Sequence, residues 1–338
     1  MENFTAVVPE DKGGTGYGGT DEIEKAENYS VYFFRGIGCI GVILIHFRFP
    51  GYLGGICSSL AEFAVPFFFM TAGYYACHED GGKEEQKLKK RIRNTFRITC
   101  ISVLIYLCYR VLIVRQPWEV ISLMQILLWN NLDCIHGLHL WFLPALLYSY
   151  LFVYGLCKTG LFKWAYWLVP ALFCVRLAVI MDPRNDWHMA QNFLFCGIPY
   201  MMLGHWFARK REQTITHMGT AGILAAAIGG WLLNYGGSVL GCPSVFVEIG
   251  NIIYSVALFL LAMKKPSCHI NLRIESIGKT SSLYIYIIHM LVGTFVSLGF
   301  RLLHLAGKPG MDYVAPVATI VVSVAFAQGI YRLSLRWK

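Results

Sequence analysis

From Val31 onward the chain alternates between long apolar runs and short polar breaks. The runs cover 31–49, 58–77, 95–114, 139–157, 162–182, 188–208, 217–236, 244–263, 280–300 and 313–332. Each is about 20 residues, the length a helix needs to cross a hydrocarbon layer of roughly 30 Å. A spanning strand would be about half as long and would alternate apolar with polar side chains. The pattern therefore predicts an all-α, polytopic integral membrane protein of about ten transmembrane helices. Val120–Trp129 is too short to span and is expected to lie along the interface or re-enter. Residues 1–28 are polar, acidic and Gly-rich, with nothing apolar to insert, which predicts a disordered tail ahead of a membrane domain over 29–338.

Composition supports the bilayer as solvent. Hydrophobic residues make up 56% of the 338 and charged residues 14%, against roughly 25% charged in an average soluble protein. The mean hydropathy is +0.51. The net charge of +9 is not a nucleic-acid footprint, because the cations sit in short clusters between apolar runs, where they orient helices. With both termini cytoplasmic, the inner tails and loops hold 21 Lys and Arg and the outer loops five: Arg48, Arg115, Arg184, Arg301 and Lys308. One miscounted helix would move every later loop to the other side and abolish that bias. The chain start lacks the basic, apolar pattern of a signal peptide, and the expected location is a cell membrane, the inner membrane of a bacterium. The 11 Cys include no Cys-x-x-Cys pair, and no metal site is expected, although Asp133, His136 and His139 cluster in an outer loop. Cys57, Cys134 and Cys242 fall in outer loops, where a disulfide could form.

Ionisable groups inside a bilayer cost several kcal/mol each and mark sites by default. The first helix carries two, Arg35 and His46, 11 positions apart. At about 100° per residue this is three turns plus roughly 20°, so both project from one face, about 16 Å apart along the axis. Arg35 falls near the cytoplasmic boundary and His46 past the midplane. An imidazole titrating near pH 6.5 suits removal of a proton from a hydroxyl. His289, beside Tyr284 and Tyr286, lies near mid-membrane in the ninth run. Glu62 and Glu248 occupy outer thirds of their runs, where either could hydrogen-bond a substrate. Trp141 reads as an interfacial aromatic or a binding platform, and Arg176 and His205 as structural.

Taken in order, several segments resemble the acyltransferase-3 family of membrane-bound O-acyltransferases. They are Arg35-x10-His46; Val65-Pro-Phe-Phe-Phe-Met-Thr-Ala-Gly-Tyr74; the basic Lys89-Lys-Arg-Ile-Arg93; His139-Leu-Trp-Phe-Leu143; and Ile277-Gly-Lys-Thr-Ser-Ser-Leu-Tyr-Ile-Tyr-Ile-Ile-His289. The resemblance runs from about residue 29 to the end. It implies transfer of an acyl group from a cytoplasmic donor, usually acetyl-CoA, to a hydroxyl of an envelope sugar or lipid-linked glycan, with no bound cofactor. His46 would then be the catalytic base and Arg35 its companion, with Arg91, Lys90 and Arg93 meeting the donor and Glu62, Trp141, Tyr286 and His289 the acceptor. Two positions depart from the family pattern: Ala72 stands where Ser is frequent, and Asn94 where a second basic residue is expected. The competing reading is a carrier of lipid-linked sugars without chemistry of its own. Many transporters are built from internal repeats, and neither the Arg-x10-His stripe nor the Gly-Tyr motif recurs here.

Overall fold

The computed structural model describes residues 27–115, 122–182, 184 and 187–336. Most of the expected tail lies outside the described residues. Among those described there is no strand. The helices are α1 (Tyr29–His46), α2 (Gly51–Ala61), α3 (Ala64–Ala76), α4 (Gly81–Tyr109), α5 (Leu123–Trp129), α6 (Phe142–Thr159) and α7 (Phe162–Met181). They continue as α8 (Ile198–Arg209), α9 (Arg211–Thr214), α10 (Thr220–Val239), α11 (Ser244–Lys264), α12 (Leu272–Thr280), α13 (Ser282–Leu302) and α14 (Met311–Arg336). Among the described residues eight helices are long and apolar enough to cross a membrane, counting α2 with α3 as one and α4 with its π-helical end as another. The protein is an all-α polytopic membrane protein.

Each of the ten expected runs holds helix, with two differences of detail. The second is interrupted: Glu62 and Phe63 form a turn between α2 and α3. The sixth is helical only in its later half, because the Asn192 side chain diverts the chain. Its amide donates to the His188 and Met189 carbonyls, and its oxygen accepts from the backbone N–H groups of Leu194 and Phe195. A π-helical turn, Phe193–Gly197, then leads into α8. The Val120–Trp129 segment, described from residue 122, contains α5, a short helix whose Leu123, Met124, Leu127 and Leu128 are all exposed.

The chain divides into two compact units, Met1–Ala64 with Leu258–Lys338, and Val65–Ala257. In the first, α1 begins at an Asn28 cap whose side chain accepts from the Val31 N–H at 2.9 Å and donates to the Ala262 carbonyl at 3.3 Å. α1 then runs against α12 at backbone distance. A Cβ on Gly36 would overlap the Ile274 carbonyl oxygen, and one on Gly278 the Tyr32 carbonyl oxygen. Small residues allow this approach where lipid supplies no hydrophobic drive between helices. The start of α12 is tied by Glu275, whose carboxylate accepts from the backbone N–H groups of Ile270 and Asn271 and from His269 Nδ1. Burial alone would raise its pKa, but these donors outweigh burial and hold the carboxyl below its usual range.

The second unit uses the same device between α3 and α8. A Cβ on Gly73 would overlap the Met201 carbonyl oxygen, and one on Gly204 that of Met70. Gly278→Val and Gly204→Val should each destabilise the protein by about 1–3 kcal/mol through overpacking. The expected result is a lowered thermal midpoint in detergent, whereas Gly222→Val, at a position with open space around it, should leave the midpoint nearly unchanged.

Candidate functional site

The polar stripe of α1 faces α13. Arg35 Nη2 donates to Ser282 Oγ at 2.8 Å, and Cys39 Sγ lies 3.6 Å from the Ser282 carbonyl. Further along, the His46 and His289 rings stand 5.4 Å apart between centroids, inclined by 38°. Phe47, the next residue, packs its ring over Gly293, where any Cβ would collide with it. Residue numbers rise together on the two helices, so they run in the same direction, with Arg35 at one end of the shared seam and His46 at the other. The 100° arithmetic that put Arg35 and His46 on one face is matched by these contacts.

His289 is fully buried. Its Nδ1 lies 2.8 Å from the Tyr286 carbonyl oxygen and 3.1 Å from that of Ile285. Carbonyl oxygens only accept, so Nδ1 carries the hydrogen and Nε2 the lone pair of the neutral ring. The Tyr286 ring lies 6.3 Å from that of His289. Arg35, His46, Tyr286 and His289 therefore assemble within the first unit. Glu62 belongs to the same unit and is exposed at the turn between α2 and α3.

The other sequence-derived candidates lie in the second unit. Arg91 is half-buried, with Nη1 donating to the Tyr150 hydroxyl at 3.1 Å and Nη2 to the Tyr75 carbonyl at 2.9 Å. Lys90 and Arg93 are exposed on the same helix. Trp141 is only 8% exposed and meets Phe142 edge-on at 6.4 Å. It is a packed core residue, neither an interfacial belt nor an open platform. Asp133, His136 and His139 do not converge: His136 pairs with Arg110 at 2.8 Å, Asp133 with His188 at 3.3 Å, and His139 packs on Tyr106. Glu248 is held by Arg176 at 2.8 Å, and Arg176 also donates to the Ala190 carbonyl. No disulfide joins any of the eleven cysteines.

The second unit also contains a network that sequence reasoning missed. Glu84 sits in the cationic stretch Lys83–Arg97 and reads there as one more solvated charge, yet it is fully buried. Its Oε1 meets His205 Nε2 at 2.8 Å, and its Oε2 accepts from Arg209 Nη2 at 2.8 Å. His205 Nδ1 lies 2.8 Å from the Tyr166 hydroxyl, and its ring stacks on Phe162 at 4.6 Å. Cys77, Glu84 and His205 bring their donor atoms within 4.8 Å of one another, a grouping able in principle to hold a metal ion. The carboxylate oxygens and both imidazole nitrogens are already engaged, however, and a guanidinium stands where a cation would bind. The arrangement is an ion-pair network.

A family model described as an acyltransferase domain (Acyl_transf_3) matches residues 28–332. The chain is also similar to a serine/alanine racemase of Enterococcus gallinarum, with 30% identity over 162 residues, 45% of this chain and 23% of that protein. The match spans about a quarter of that relative's length. No solved structure matches.

Removing one partner from the buried network leaves an uncompensated charge. Glu84→Ala should cost about 3–5 kcal/mol, whereas Lys90→Ala, on an exposed face, should stay within about 0.5 kcal/mol. Thermal or denaturant unfolding of the purified variants measures both, and equal midpoints would refute the assignment.

Proposed function

The chain belongs to the acyltransferase-3 family, and on that premise we propose that it is a membrane acyltransferase that moves an acyl group, acetyl in the first instance, from a cytoplasmic coenzyme A thioester to a hydroxyl of an envelope sugar or lipid-linked glycan. The observation that carries this reading is the facing pair His46 and His289, in line with Arg35 on one seam. His46 takes the proton of the acceptor hydroxyl as its oxygen attacks the thioester carbonyl. The tetrahedral intermediate collapses, the C–S bond breaks, and the leaving thiolate takes the proton back from the imidazolium, giving an ester and free coenzyme A. The Nε2 lone pair of His289 is suited to accept a hydrogen bond from the hydroxyl or from the protonated His46, so its part is to orient and to stabilise positive charge. Arg35 supplies a fixed cation at the donor side of the seam.

Coenzyme A is polyanionic, and Lys90, Arg91 and Arg93 offer the charge it needs. Arg91 is held in place by two hydrogen bonds, whereas Lys90 and Arg93 are exposed. Tyr286 and Glu62 bring a hydroxyl and a carboxylate to the first unit and suit hydrogen bonding to a hydroxylated acceptor. Trp141 is buried against Phe142 in the second unit.

The direct test is transfer of labelled acetyl from acetyl-CoA to hydroxylated acceptors by protein reconstituted in liposomes. His46→Ala should lower the rate by about 10²–10⁴-fold, the usual worth of a positioned general base. Lys90→Ala with Arg93→Ala should raise KM for acetyl-CoA and leave kcat nearly intact. Equal transfer by wild type and His46→Ala would overturn the reading.

A further inference from the structure

Beyond the imidazole pair, at the end of α1 away from Arg35, the first unit contains an open cleft of about 310 Å³. Phe47, Arg48 and Pro50 line it from the segment after α1, Ser297 from α13, and Asp312, Ala315, Pro316 and Thr319 from α14. Ser297 is eight residues past His289, about 12 Å further along α13. Phe47 links the two places, since the same ring that walls the cleft rests on Gly293, one helical turn from His289. The positive-inside count assigns Arg48 to the outer side of the membrane.

The lining is chemically mixed. Asp312 offers a carboxylate. It also offers a backbone acceptor, because Pro316, four residues on in α14, has no N–H to satisfy the Asp312 carbonyl. The Arg48 Nε donates to the Ile45 carbonyl at 3.2 Å, which fixes the guanidinium plane while its terminal nitrogens remain as donors. Ser297 can do either. Thr319 is spent, its hydroxyl donating to the Ala315 carbonyl at 2.9 Å. Phe47, Pro50, Ala315 and Pro316 supply apolar surface between these groups.

We propose that this cleft binds the acceptor and that its occupant is a single sugar ring, held by its hydroxyls against Asp312, Arg48 and Ser297 and by its C–H face against Phe47 and the prolines. The inference rests on the acyl-transfer reading and specifies its acceptor side. Ring hydroxyls both donate and accept, as this lining requires. An acyl chain would leave a carboxylate and a guanidinium without partners. The coenzyme A donor is a polyanion and would meet the Asp312 carboxylate with only one cation to offset it. The volume falls at the small end of ligand cavities, roughly 300–1,000 Å³, room for one ring within the cleft. A ring placed here stacks on Phe47, the residue that follows His46 in the chain.

Two measurements test this independently of each other. Saturation-transfer NMR with simple methyl glycosides reads binding to the purified full-length protein without any chemistry. Wild type and His46→Ala should give equal signals, while Ser297→Trp, which fills the cleft, and Asp312→Ala should lose them. The kinetic arm uses labelled acetyl-CoA with the same glycosides. Asp312→Asn should raise KM for the glycoside about tenfold, the loss expected for one charged hydrogen bond, with KM for acetyl-CoA unchanged. Binding with no transfer by wild type would leave the cleft assignment standing and sink the acyl-transfer reading. Absence of glycoside binding to wild type, or transfer and binding indifferent to Ser297→Trp and Asp312→Ala, would overturn the cleft assignment and leave the acyl-transfer reading intact.

Discussion

The first unit depends on one constraint, the backbone-to-backbone approach of α1 and α12. Two glycines make it, Gly36 on one helix and Gly278 on the other, each standing where a side chain would strike a carbonyl oxygen of its neighbour. In hydrocarbon, helices gain nothing from hiding apolar surface from each other, so contact of this kind must come from close packing. α12 continues into α13 with only Ser281 between them. Docking α12 therefore sets the axial position of α13 along α1, and Ser282 falls opposite Arg35 as His289 falls opposite His46. The geometry of the imidazole pair follows from glycines ten and eleven residues away.

Much of this was legible in the sequence, and the limits have physical causes. Apolar run length is a strong signal because the bilayer thickness is fixed, and all ten runs hold helix. The common face of Arg35 and His46 was legible because both lie on one helix, where phase is arithmetic. That His289 completes the pair was not, since 243 residues separate it from His46 and nothing local encodes a contact at that range. The turn at Glu62 and Phe63 escaped because an uninterrupted apolar run looks the same whether or not its helix breaks. The late start of α8 depends on one Asn side chain competing with the backbone for its hydrogen bonds. Trp141 was misplaced because an aromatic residue near a membrane boundary reads the same whether it faces lipid headgroups or the interior.

Buried charge appears in two forms. In the second unit Glu84 is matched by Arg209 and His205, and Arg176 by Glu248, each at hydrogen-bonding distance. Such groups have settled partners, and their contribution is to fix helices in place. In the first unit His46 and His289 instead face each other. Position in the sequence did not separate these cases: Glu84 sits among motif cations and is structural, while His289 sits among tyrosines and belongs to the seam.

The hydrogen bonds at His289 Nδ1 also bear on the membrane as a barrier. With that nitrogen committed to the carbonyls of Ile285 and Tyr286, which have no basicity to receive a proton outright, His289 can gain and lose a proton only through Nε2. Whatever enters the ring leaves by the same door. Arg35 meets Ser282 at one end of the seam and His46 meets His289 at the other, and a ring anchored at Nδ1 can hand a proton back to a neighbour but cannot relay it through itself to the far side.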